Sequence, residues 1–354
     1  MQCGKLTESI YNRSVIKVIQ KNSEKDKGYH HGAGLRADCA ILAENTTSEK
    51  QFTGMVLGQA TATGTDMQVA ARAYIAAVNQ MTVCAVSKAH EMTFCPYATI
   101  TLLVPEKLRE IKIRNIVETA AVKAAEMKVP IVACDVQVLP SITESVAVCV
   151  VNSGIESSVD TTRYCLKGQG KVVPGEEIVM TKWAAIEGTA LIGEESFAVL
   201  CGRYPEDIVK TAVNFYQKLS IVAEAACAVE SGASAMQVLR EGGIFGGLWQ
   251  LAQDNGVGLV VDLKNIPIRQ ETIELCEFFD LNPYVLLSGG SLLITTSESG
   301  KLLHTLRERG IHATVIGHTT AGNDRVILRD EETRYLEPAR GDEIFQYKKN
   351  KHNI

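Results

Sequence analysis

The feature that most constrains the fold is a strand, a long amphipathic helix and two further strands in close succession. Tyr97–Val104, YATITLLV, is rich in β-branched residues and closes on Pro105, which reads as a strand. Apolar residues then recur at three- and four-residue steps, at Leu108, Ile111, Val117, Ala120, Ala121 and Ala124, until Val129-Pro130 stops the pattern. IVAC from Ile131 and SVAVCVV from Ser145 follow as two apolar runs of strand character, with Cys149 read as a small core hydrophobe. The first half is therefore predicted to be an α/β unit built on a long crossover helix.

The texture changes between Asn152 and Lys171, where Gly, Ser and Thr accumulate, and Pro174-Gly175 marks a turn before the strand EIVMTKW. The boundary is set there, giving domains 1–155 and 156–354. Helical stretches are expected at 187–200, 206–218 and 223–229. Another carries Ile244, Leu248, Leu251 and Ala252 on one face and ends at Asn255-Gly256. VGLVVDL is the next strand, and PYVLLSGGSLLITT reads as a hairpin turning on Gly289-Gly290. A helix to Gly310, the strand HATVIG and a polar hairpin around Asp330–Tyr335 complete the chain. The expected class is α/β with α+β character, in two domains.

A chain of 354 residues with 46% hydrophobic content is long enough for two buried cores. Its formal charge of -5 comes from 36 basic and 41 acidic residues that are interspersed, so no basic face advertises a nucleic acid or an anionic membrane as partner. The basic run Lys348-Lys349-Asn350-Lys351 reads as a frayed end. Met1-Gln2-Cys3-Gly4-Lys5 lacks a signal pattern, and no apolar run approaches the roughly 18 residues of a membrane span, so the chain is expected in the cytoplasm. Ten cysteines without a Cys-x-x-Cys pair argue against a zinc ribbon or a disulfide framework.

The stretch SAMQVLREGGIFGGLWQLAQDNGVGL, from Ser234 to Leu259, holds the most suggestive chemistry. Arg240-Glu241-Gly242-Gly243 precedes an amphipathic helix. Glycines there let backbone approach a ligand, and a helix N-terminus offers N–H groups to an anion; a tight turn needs the same residues. Arg240 supplies a planar charged fork suited to phosphate, or pairs with Glu241 or another local acid. Elsewhere, His30-His31 stands before a Gly-rich stretch, and Lys182 and Glu187 flank what reads as a strand-to-helix connection, with Glu187 near the helix start.

Motifs in a particular order carry a resemblance. GLRADCAIL, TATGTD, AAVNQMTVCA and VACDVQV occur in the first half; Pro174-Gly175-Glu176, Ser234-Ala235-Met236, Glu241-Gly242-Gly243, SGGSLLIT and VIGHTTAGNDRV follow. In that order they resemble the aminoimidazole ribonucleotide synthetase-like (PurM-like) superfamily, most closely its hydrogenase-maturation HypE-like branch. The resemblance implies an N-terminal α/β dimerisation domain, a C-terminal α/β domain, ATP with magnesium as cofactors, and a homodimer. Magnesium binds carboxylate and phosphate oxygens together, so acidic loops are the expected clamp.

Several of those acids are replaced. Arg36-Ala37-Asp38-Cys39-Ala40 keeps Asp38 but has Ala37 beside it; the loop Gln59-Ala60-Thr61 has Ala60 for an aspartate; Val78-Asn79-Gln80 keeps Asn79 and neutralises its neighbour. VACDVQV, taken as a loop, keeps Asp135 and carries Gln137 for a glutamate, and Val238 replaces an aspartate ahead of the intact Gly242-Gly243. Five losses argue for a weakened or repurposed nucleotide site. On the resemblance, Asp38, Asn79, Asp135, Arg240, Glu241, Gly242 and Gly243 are the candidate cofactor-binding residues, with Asp38 and Asp135 as metal ligands; no catalytic residue is assigned. Cys39, Cys84 and Cys134 fall in or beside altered loops and form either core thiols or a soft metal or redox site. HypE-like proteins that carry a thiocarboxamide end in cysteine, whereas this sequence ends Lys351-His352-Asn353-Ile354 and is not expected to perform that step. Three functions remain open: a divergent protein with an altered nucleotide site, an active ATP-dependent phosphotransferase or maturation factor, and a non-catalytic partner that dimerises with an active paralogue.

Overall fold

The computed structural model describes residues 39–45, 52–85, 93–157, 172–330, 332–338 and 341–351, besides isolated positions near the amino terminus. The chain divides into two compact units, Gln20–Gly168 and Gln169–Ile354 with Met1–Ile19. Each is built on its own sheet.

In the first unit the strands are β1 (Cys39–Asn45), β2 (Phe52–Gly64), β3 (Thr93–Val104), β4 (Ile131–Val138) and β5 (Ser145–Ser157), in the order β1-β2-β5-β3-β4. Only β3 and β4 run parallel, and the helix between them, Glu110–Met127, is the crossover expected from the periodic pattern. It stops at Lys128, whose left-handed φ of 57° lets its N–H return to Ala124 O before Val129-Pro130. A second helix, α1 (Val69–Ala85), is rich in alanine and lies flat on β2 and β5. Close approach is possible because Gly58 of β2 has no Cβ: one placed there would meet Met81 N at 2.5 Å and the Ala77 carbonyl closer still. Tyr74 is fully buried between these layers and donates its hydroxyl to Val129 O at 2.8 Å. Val56, Ala147, Cys149 and Val151 are buried, while the alternating Leu57, Val146, Val148 and Val150 of the opposite face are half-buried.

Seven strands form the second sheet: β6 (Glu177–Thr181), β7 (Ala235–Val238), β8 (Gly258–Asp262), β9 (Leu292–Thr296), β10 (Ala313–Thr320), β11 (Arg325–Arg329) and β12 (Glu332–Tyr335). Their order is β12-β11-β8-β10-β6-β9-β7, with β8 and β11 parallel and every other pair antiparallel. A core of Ile178, Met180, Leu239, Ile244, Leu248, Leu259 and Leu293 joins this sheet to the helix Gly243–Asn255. That helix ends at Gly256 with φ 62°, as its sequence predicts.

Four expectations are corrected here. Gly289-Gly290 is not a hairpin turn: only Leu292–Thr296 of that stretch is a strand, and it pairs with β6 and β7. The stretch 187–200 breaks at Ser196 into the helices Ile186–Glu195 and Phe197–Cys201, and 206–218 becomes an α-helix over Glu206–Val213 followed by a 3-10 turn over Asn214–Lys218. Lys348-Lys349-Asn350 does not fray. It closes the helix Glu343–Asn350, which Asp342 caps through Ile344 N at 2.8 Å and which buries Ile344 and Tyr347.

Candidate functional site at the glycine loop

Strand β7 leads through Leu239 into Arg240-Glu241-Gly242-Gly243 and the helix that starts there. Gly242 and Gly243 have φ of 80° and 63°, left-handed conformations that favour glycine. At Gly243 the lack of a side chain is also steric, because a Cβ would run into the Tyr284 carbonyl.

Arg240 is 8% exposed and faces two carboxylates. Its Nη1 donates to Glu241 Oε1 at 2.6 Å and its Nε to Glu187 Oε2 at 3.4 Å. Glu187 is the second residue of the helix Ile186–Glu195 and is 2% exposed; Gly289 leaves room for its carboxylate, which a Cβ at 289 would strike. Long-range pairing of Arg240 with Glu187 has no signature in the sequence, since 53 positions separate them.

The backbone donors of the loop are also engaged. Asp342, 6% exposed, accepts from Gly242 N at 2.7 Å, Leu287 N at 3.2 Å and Ile344 N at 2.8 Å. Burial pushes its carboxyl up to about 7, although the amide donors pull the other way. The loop thus carries an anion already, and that anion belongs to the protein. Glu187 and Glu241 already outnumber the single Arg240 guanidinium, and Asp342 on the loop backbone adds a further negative charge when ionised, which opposes an incoming phosphate.

The N-terminal candidates are dispersed. Asp38 and His30-His31 lie outside the described residues; Cys39 opens β1 opposite Gly58. Gln59-Ala60-Thr61 is not a loop but the middle of β2, where Ala60 is buried opposite Cys149. Asn79 and Cys84 sit in α1, Asn79 buried and Cys84 half-buried. VACDVQV is likewise strand rather than loop: it is the edge strand β4, where Asp135 is exposed and accepts from Gln137 Nε2 at 2.8 Å. Cys134 is exposed on the same strand.

One acid was missed. Asp66, which closes TATGTD, is buried and pairs with Arg72 at 2.9 Å, while Arg72 also donates to Thr63 O at 2.9 Å. Its signal was an Asp-to-Arg spacing of six across a helix start, which single-motif reading does not weigh. Among the described residues no group of three or more His, Cys, Asp or Glu side chains is placed to hold a metal ion. The donors present there do not fit a carboxylate clamp for magnesium.

Two mixed sheets, each backed by helices and each forming its own unit, define the two-domain PurM-like fold. Residues 173–329 match the family AIR synthase related protein, C-terminal domain. Carbamoyl dehydratase HypE of Rhodobacter capsulatus is 27% identical over 163 residues, which is 44% of this chain and 47% of that protein, so the match spans about half of the relative. Among solved structures, a HypE-HypF complex is similar with a TM-score of 0.63 at 16% identity over 92% of this chain and 99% of the other. HypE in complex with ATP gives 0.58 at 18% identity over 79% and 84%. Residues 173–329 thus resemble an AIR synthase-related C-terminal domain, and the chain shares the PurM-like fold of the HypE structures to which it is similar.

Proposed function

We propose that this is a divergent AIR synthase-related protein of the cytoplasm whose nucleotide site has been rebuilt around Arg240 and no longer uses a magnesium-carboxylate clamp. The observation that carries the reading is the double internal occupancy of the glycine loop, Glu241 on Arg240 at 2.6 Å and Asp342 on Gly242 N at 2.7 Å. A nucleotide phosphate reaches Arg240 by displacing Glu241, without metal. Titration with a non-hydrolysable ATP analogue tests this: Glu241→Gln removes the competing carboxylate from the Arg240 guanidinium and strengthens binding by about tenfold, roughly 1.4 kcal/mol. Arg240→Ala abolishes it. Binding that Arg240→Ala leaves untouched overturns the proposal.

An active ATP-dependent phosphotransferase or maturation-type factor is a second reading, favoured by the neighbour solved with ATP. Magnesium-dependent phosphate release is the assay that discriminates it from the first. Homodimerisation, or pairing with an active paralogue, is supported by the exposed edge strand β4 with Val132, Val136 and Val138 at 60%, 39% and 56% exposure. Light scattering on the purified chain, and a pull-down with the paralogue, separate these assemblies.

A further inference from the structure

Lys182 stands between β6 and the helix Ile186–Glu195 with φ 54°, a left-handed conformation that a lysine adopts only when its surroundings hold it there. Its side chain is 11% exposed and its ammonium meets four oxygens: Glu224 Oε1 at 2.5 Å, Ser220 O at 2.7 Å, Gly290 O at 2.8 Å and Lys218 O at 3.0 Å. An ammonium has three protons, so four acceptors surround a charge rather than match bond directions.

The oxygens come from separate segments. Lys218 ends the 3-10 turn, Ser220 precedes the helix Val222–Glu230 that carries Glu224, and Gly290 belongs to the loop before β9. Convergence depends on glycine: Gly290 has φ 101°, and a Cβ there would lie 2.7 Å from Lys218 O. Glu224 is 3% exposed and supplies one full negative charge. Burial pulls the Lys182 ammonium below the usual lysine range, and Glu224 opposes that pull and favours the charged form.

Three carbonyls and one carboxylate are hard oxygen ligands, of the kind that replace the hydration shell of a large monovalent cation. Ammonium and potassium ions are close in size and charge, so a set of oxygens that suits one suits the other. We propose that these four oxygens form a monovalent-cation site whose occupant is the tethered ammonium of Lys182, and that the site takes potassium or ammonium ion once that amine is removed. The same cage fixes the loop that presses Gly289 against Glu187, so it positions the floor of the glycine-loop site. The assignment is independent of how that loop treats nucleotides.

Thermal unfolding of Lys182→Ala in salts of equal ionic strength tests it. In choline chloride the midpoint falls by about 10 °C, because a buried carboxylate has lost its counter-charge. Potassium or ammonium chloride restores at least half of the loss in a saturable way, lithium chloride does not, and the wild type responds to all these salts alike. In the double variant Lys182→Ala/Glu224→Gln the potassium response disappears. Equal response of Lys182→Ala to every salt, failure of it to fold in potassium as in choline, or a potassium response that persists in the double variant overturns the assignment.

Discussion

Asp342→Asn isolates the charge of the carboxylate that closes the glycine loop. In the wild type Oδ1 accepts from Leu287 N and Ile344 N, and Oδ2 accepts from Gly242 N. An asparagine oxygen keeps the first two bonds and its amide nitrogen faces Gly242 N, so the variant mimics the protonated acid at a cost of about 1 kcal/mol. The wild-type carboxyl titrates near 7 when folded, against 3.8 as the reference value. Below 3.8 the acid is protonated in both states and its contribution to stability is fully present. As pH rises the unfolded chain ionises first, so stability is lost up to the folded value near 7 and stays constant above it. At about 1.4 kcal/mol per pH unit, an interval of roughly three units amounts to about 4 kcal/mol. Urea unfolding of both proteins from pH 4 to pH 8 is the assay, and all other carboxylates cancel in the difference. Asp342→Asn is the less stable by about 1 kcal/mol or less at pH 4 and the more stable by about 3 kcal/mol at pH 8. A difference that does not change with pH refutes the reasoning.

Two other perturbations probe the frame. Gly243→Ala places a Cβ against the Tyr284 carbonyl at a left-handed position and costs at least about 3 kcal/mol, read as a lower denaturation midpoint; a loss under about 1 kcal/mol contradicts the close approach. Arg72→Met strands Asp66 inside the first unit and costs about 3–5 kcal/mol in urea unfolding, much of it recovered by adding Asp66→Asn.

The secondary structure that periodicity governs was legible: the crossover helix Glu110–Met127 stands between strands as its apolar steps required, and Gly256 ends its helix. Motif reading was less reliable where it met pairing between distant segments. Ala60 and Asp135 belong to strands and not to the loops their motifs suggest, because strand pairing is decided by partners such as β5 and β3 that local composition does not reveal. The Gly289-Gly290 hairpin failed for the same reason: the run after it pairs with β6 and β7 instead of folding back on its own neighbour. At the candidate site, the pairing of Arg240 with Glu241 was readable as a neighbour contact. Glu187 and Asp342 lie 53 and 100 positions from the loop residues they bind, and nothing local marks them. Asp342 sits next to what read as a fraying tail, and its role emerges only when Ile344 and Tyr347 bury the helix that it caps.

On the proposed function, the glycine loop that the protein's own carboxylates close takes nucleotide without metal. Calorimetric titration of the wild type with a non-hydrolysable ATP analogue, with and without magnesium, tests it most directly. The account predicts weak binding of equal affinity in both conditions; tight binding that requires magnesium contradicts it.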